Sequence, residues 1–112
     1  MEGLKDVLDI KLPASQNDIG HVYHQFTIRI DDLISIKRRD ALQEHLKDNG
    51  IDGMIYYPTP LNNMKVFEGK CSVFRSPKEA ARAAKQVLSL PIEPLFNYAT
   101  IGDICESVIN FF

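Results

Sequence analysis

The stretch HVYHQFTIRI, residues 21–30, decides the fold. With a period of two it places Val22, His24, Phe26, Ile28 and Ile30 on one face, and His21, Tyr23, Gln25, Thr27 and Arg29 on the other. Its aromatic and β-branched content suits a central strand with one buried face. Whatever flanks this strand must cover that face.

Working outward, Lys37 to Asp48 is predicted to be a helix with Ser35 as its cap, Ala41, Leu42 and Leu46 turned inward, and Gly50 as its C-terminal glycine. Ile51 to Tyr57 is predicted as a second strand, ended by Tyr57-Pro58 because proline has no amide hydrogen to give a sheet ladder. Ser76-Pro77-Lys78-Glu79 is predicted to open an alanine-rich helix that runs to about Val87, and Leu88 to Leu90 a short strand. A last helix is expected to open at Thr100, with Ile101, Ile104, Cys105, Val108, Ile109 and Phe112 in line. At the other end, residues 2–10 place Leu4, Val7 and Leu8 on one face of a helix of barely two turns, too short to be stable alone. The expected fold class is α/β (α+β), a small three-stranded sheet with helices packed mainly on one face.

The chain has 112 residues, enough for one core and not two. A formal net charge of −2 gives no global attraction to nucleic acid or an anionic membrane. No apolar run approaches the roughly 20 residues needed to span a bilayer. The first ten residues mix charges with apolar groups, unlike a signal peptide, and Cys71 and Cys105 form no CxxC pair, so the expectation is a reduced, cytoplasmic chain.

Composition and spacing point to no catalytic chemistry. His21 and His24 are an odd number of residues apart on the expected strand, so they face opposite ways and are not joint metal ligands. There is no nucleophile elbow and no glycine-rich phosphate loop. Tyr23 and Phe26 fall on opposite faces, which argues against an RNA-binding aromatic platform. What stands out is the loop GMIYYPTPLNNM, residues 53–64, where two prolines stiffen a presentation of Tyr56, Tyr57, Asn62 and Asn63.

Five blocks in order, HVYHQFTIRI, RRDALQEHLKDNGI, YYPTPLNNM, VLSLPIEP and the closing helix, resemble the C-terminal small domain of DegT/DnrJ/StrS-type sugar aminotransferases, which share the fold-type I architecture. The resemblance runs from Leu12 to Phe112 and implies that residues 1–11 are the stub of an inter-domain helix and 12–112 the small domain. It implies a parent enzyme that uses pyridoxal phosphate to aminate keto-sugar nucleotides. The Schiff-base lysine and most phosphate ligands would lie in a large domain that is the expected partner, leaving no cofactor site in this chain.

By the same resemblance the loop reaches the substrate's sugar. Tyr57-Pro58 and Pro60-Leu61 match the family's Tyr-Pro and Pro-Leu, while Tyr56 and Asn62 stand where histidines are usual. A phenol and an amide still hydrogen-bond a sugar hydroxyl but do not exchange protons near neutral pH as imidazole does. Tyr56, Tyr57, Asn62 and Arg29 are therefore the expected substrate contacts, with no catalytic and no metal residue. For Tyr56 and Tyr57 the competing expectation is strand-end packing, and for Arg29 an ion pair with Asp31 or Asp32. The rival reading is a stand-alone binding module that keeps the fold without catalysis. With the large domain absent, Leu4, Val7 and Leu8, together with Tyr56, Tyr57 and Met64 by the loop, are expected to form an exposed apolar patch or to be covered by a second copy in a homodimer.

Overall fold

The computed structural model describes residues 2–14, 20–31, 37–70, 72, 75 and 77–112. Three helices and a three-stranded antiparallel sheet form one layer on another: β1 (Ile10–Lys11), β2 (Phe26–Ile30), α1 (Lys37–Asp48), α2 (Lys78–Gln86), β3 (Val87–Leu90) and α3 (Tyr98–Phe111). The sheet order is β1-β2-β3, with Ile10 opposite Ile30, and Phe26 and Ile28 opposite Leu90 and Leu88. Paired residues share a face, so Ile10, Ile28, Ile30, Leu88 and Leu90 all point one way. There they meet Leu42 and Leu46 of α1 and Ile104 and Val108 of α3 in a single core. The fold is the expected α/β layer, with α1 and α3 covering one face of the sheet. The opposite face is polar: Thr27 and Ser89 share a hydroxyl hydrogen bond of 2.8 Å.

α1 keeps its expected bounds. It closes as its sequence requires: Gly50 sits at φ +75°, its amide donates to Lys47 O, and Ile51 N donates to Leu46 O. Leu42 and Leu46 are fully buried, but Ala41 is exposed, because the buried stripe is centred on positions 42 and 46 and continues to half-buried His45. α3 starts earlier than expected. Asn97, not Thr100, is its cap, and Asn97 Oδ1 accepts from Thr100 N at 2.8 Å. Along it Ile104 and Val108 are buried while Ile101 and Ile109 remain exposed. α2 has no side-chain cap from Pro77, and the expected caps Ser35 and Ser76 lie outside the described residues.

Two expected strands differ. β2 begins at Phe26 rather than residue 21, because Tyr23 turns to φ +44°, with its amide donating to His21 Nδ1 at 2.9 Å. A left-handed residue breaks the period of two, so Val22 is 85% exposed instead of joining the core. Ile51–Tyr57 is not a strand: only Met54 pairs, through one bridge to Ser89. Gly53 presses against Leu46 and Leu88, and α1 holds its carbonyl through Gln43 Nε2 at 2.8 Å, which bends the segment away from the ladder.

The third strand comes from the N-terminus instead. The helix expected over 2–10 is a single 3-10 turn, Glu2–Leu4, followed by β1. Leu4 is 2% exposed in the core and Leu8 is 95% exposed, so Leu4 is withdrawn from the expected apolar patch, of which Tyr56 and Tyr57 remain exposed. Asp31 N donates to Asp9 O, and Lys11 Nζ meets Asp31 at 2.6 Å. The two-residue strand thus has a backbone hydrogen bond and an ion pair in addition to its ladder.

Two outcomes follow. Leu46→Ala should cost about 2–5 kcal/mol in chemical denaturation, since it opens a cavity between α1 and the sheet. Asp31's carboxyl is held below its ordinary 3.8, first by the hydrogen bond from Lys11 and then by the charges of Lys11, Arg82 and Arg29, against the opposing effect of desolvation. A lowered folded-state pKa means this stabilisation is present above about 3.9 and is lost as pH falls through the folded value. Lys11→Met should therefore lower stability at neutral pH, and the gap to the parent chain should narrow in acid titration.

Candidate functional site

The polar side of the sheet holds the strongest candidate. Where β3 ends at Pro91, a groove of about 430 Å³ opens between the residues before β2, the Asp52–Tyr56 segment and the Ile92–Phe96 turn. Pro91 gives no amide to the ladder, so the sheet stops there and leaves room. The floor is Ser89, paired through its hydroxyl to Thr27. The walls carry His24, Gln25, Asp52, Tyr56, Glu93 and Phe96. Asp52, Glu93 and His24 are among its lining residues and no lysine or arginine is among the described ones, though Asp52 also borders the neighbouring groove that holds Lys47. A second, apolar groove of about 280 Å³ lies beyond Leu90 and Phe96, against Leu4, Ile104 and the free thiol of Cys105.

Of the four expected contacts, the groove takes one. Tyr56 lines it with about half its surface exposed. Tyr57 is 69% exposed and outside it. Asn62 sits in a 3-10 turn, Leu61–Asn63, with its amide donating to Asn63 Oδ1 at 2.6 Å, and it too lies outside. Arg29 shares the polar sheet face, but its Nε donates to the buried Gln86 Oε1 at 2.8 Å, neither to a groove nor to the expected Asp31. Asp31 pairs with Lys11 and Arg82, and Asp32 lies outside the described residues.

Residue type and spacing raise His24 only as a metal ligand, which the strand parity argues against, and do not mark Gln25, Asp52 or Glu93. The expected strand turned His24 inward, and its exposure follows from the break at Tyr23. Asp52 and Glu93 each sit one residue from an apolar strand residue or a proline, where a lone acid reads as an ordinary solvated turn. Among the described residues no three His, Cys, Asp or Glu side chains are grouped to hold a metal ion, and no helix is long and apolar enough to cross a membrane.

A small antiparallel sheet backed by two helices ends, at its last strand, in a polar groove. Residues 1–109 match the DegT/DnrJ/EryC1/StrS aminotransferase family, and the chain belongs to that family. It is 37% identical over 94 residues to the dTDP-3-amino-3,4,6-trideoxy-alpha-D-glucose transaminase of Streptomyces venezuelae, covering 84% of this chain and 23% of that protein. The structure of Streptomyces venezuelae DesV in complex with a ketimine intermediate superposes with a TM-score of 0.83 at 33% identity, over 98% of this chain and 28% of that one. NtdA of Bacillus subtilis with bound cofactor PMP has the same fold, with a TM-score of 0.74 at 23% identity over 98% of this chain and 24% of that one. The chain thus spans about a quarter of the length of the relatives it matches.

Pyridoxal phosphate needs an amine to hold its aldehyde and cationic or amide donors to hold its phosphate. The described groove, with two carboxylates and no lysine or arginine, does not fit that group.

Arg29→Met should cost about 1–3 kcal/mol in stability, because it strands the buried Gln86 amide. Thermal and denaturant melts measure this. A substrate-binding Arg29 would instead change ligand affinity and leave the melt unmoved.

Proposed function

We propose that this chain is the C-terminal small domain of a cytoplasmic, pyridoxal-phosphate-dependent aminotransferase that acts on keto-sugar nucleotides. It closes the substrate cleft and packs on a large domain, residues 12–112 forming the small domain and the segment before them the link. Family membership together with coverage of about a quarter of each relative is the observation that carries the reading. Tyr56 is the substrate contact best supported, since its phenol stands in the groove at the end of β3. Tyr57 and Asn62 point the same loop toward the sugar, on the resemblance of the Tyr-Pro and Pro-Leu motifs. The lysine and phosphate ligands belong to the partner domain, so the chain does not transaminate by itself.

A second reading is favoured by one feature. Leu4 and Ile10 are built into the core, so the domain has its own N-terminal strand and does not need a partner to complete its sheet. A stand-alone binding module requires that self-sufficiency.

The test is a chimaera in which this chain replaces the matching quarter of the Streptomyces venezuelae transaminase. Turnover of a keto-sugar nucleotide is expected from the chimaera and none from the isolated chain. Tyr56→Ala in the chimaera should lower kcat/KM by roughly tenfold, the equivalent of about 1.4 kcal/mol and one hydrogen bond. A well-folded chimaera with no turnover would favour the module, and turnover by the isolated chain would overturn both readings.

A further inference from the structure

We propose that the notch between the C-terminal end of α1 and α3 is a docking site for an arginine side chain presented by a partner protein. It is separate from the groove at the end of β3 and goes beyond the aminotransferase reading. One unpartnered hydroxyl and an unbalanced charge carry it.

The notch has a volume of about 490 Å³. Asn49 and Gly50 close one side, and Asp103, Glu106, Ser107 and Asn110 line the other. The walls are tied together: His45 Nε2 lies 3.0 Å from Ser107 O across the two helices, and Asn49 Nδ2 donates to His45 O at 2.8 Å. The Ser107 side chain is the anomaly. The residue is 8% exposed, and its hydroxyl has no hydrogen-bond partner among the described residues. It does not take even the carbonyl four residues back, a common partner for serine within a helix. A buried hydroxyl left unpaired destabilises the chain, and a ligand that supplies the missing bond removes that penalty. The oxygen is closed to solvent, so a turn about χ1 is the step that brings it to the ligand.

The charge is one-sided. Asp103 and Glu106 are exposed and three residues apart on α3, which makes them neighbours on its surface. Neither has an ion-pair partner among the described residues. The end of α1 adds the negative pole of its helix dipole. No lysine or arginine is among the described lining residues, and nearby Lys47 lines a different groove with Asp40, Glu44 and Asp52.

The acceptors select among cations. No three His, Cys, Asp or Glu side chains are grouped to hold a metal among the described residues, so a bare divalent ion lacks its ligands. A guanidinium carries five N–H donors in a flat fork, against three on an ammonium. The notch offers acceptors on several sides: two carboxylates, the side-chain carbonyls of Asn49 and Asn110, and the Ser107 hydroxyl. Ile51 and Ile104 supply an apolar wall for the methylene stem of an arginine. A free guanidinium ion has no such stem, which singles out a protein side chain.

The experiment is an amide NMR titration of the full chain with an acetylated, amidated Gly-Arg-Gly peptide. Its citrulline and lysine counterparts and methylguanidine are the comparisons, all at the same low ionic strength. Shifts should concentrate at residues 49–51 and 100–110. The arginine peptide should bind about tenfold more tightly than the citrulline peptide, which keeps the shape and lacks the charge. Lysine and methylguanidine should fall between them. The double variant Asp103→Asn, Glu106→Gln should reduce arginine binding to the citrulline level. Ser107→Ala should weaken it about threefold while the thermal melt holds or rises, because the hydroxyl it removes has no bond to lose. The proposal is overturned if citrulline, lysine or methylguanidine binds as tightly as arginine, or if shifts fall elsewhere or are absent. A Ser107→Ala chain that melts lower, or binds arginine unchanged, overturns it as well.

Discussion

Everything in this fold hangs on the pairing of Phe26–Ile30 with Val87–Leu90. Side chains alternate across a strand, so the register that seats Ile28 against Leu88 also sets Thr27 against Ser89 on the reverse side. One face becomes the core, where Ile28, Ile30 and Leu88 are fully buried, and the other becomes the floor of the groove. A slip of one residue would push Thr27, Arg29 and Ser89 into the helices and expose the isoleucines. Core and site are two sides of one constraint, and neither varies without the other.

The elements governed by local rules were legible in the sequence. α1 has its expected bounds because an amphipathic stripe and a glycine free to take positive φ agree on where it ends. β3 differs from expectation by a single residue. Where the outcome turned on tertiary competition, the sequence was ambiguous. Ile51–Tyr57 has strand composition, but Gly53 packs against Leu46 and Leu88, and Gln43 takes its carbonyl, so a bridge forms in place of a strand. Residues 2–10 have helical spacing at Leu4 and Leu8, yet the open edge of β2 offers Ile10 and Lys11 a ladder and Asp31 a charge partner. A free sheet edge outweighs a helix too short to be stable alone.

The candidate site was legible in outline only. Tyr56 was identifiable from the loop that carries it. Its neighbours come from three separate segments, His24-Gln25, Asp52 and Glu93, and no spacing rule links them. Arg29 shows the opposite case: a basic residue on the expected strand reads as an anion site, but Gln86 at the junction of α2 and β3 is within 2.8 Å and consumes its Nε. Position along a strand says which face a side chain takes. It does not say which partner waits there.

The residues lining the groove bear on which ligand chemistry it suits. A diphosphate needs cationic or backbone-amide donors, and the described groove supplies carboxylates. The same region offers Tyr56 and Phe96 as ring faces and polar groups at their edges. If this domain handles the sugar end, the nucleotide end must be held by a different surface, as must the cofactor, whose phosphate meets the same repulsion. That fits a chain that covers only about a quarter of its relatives.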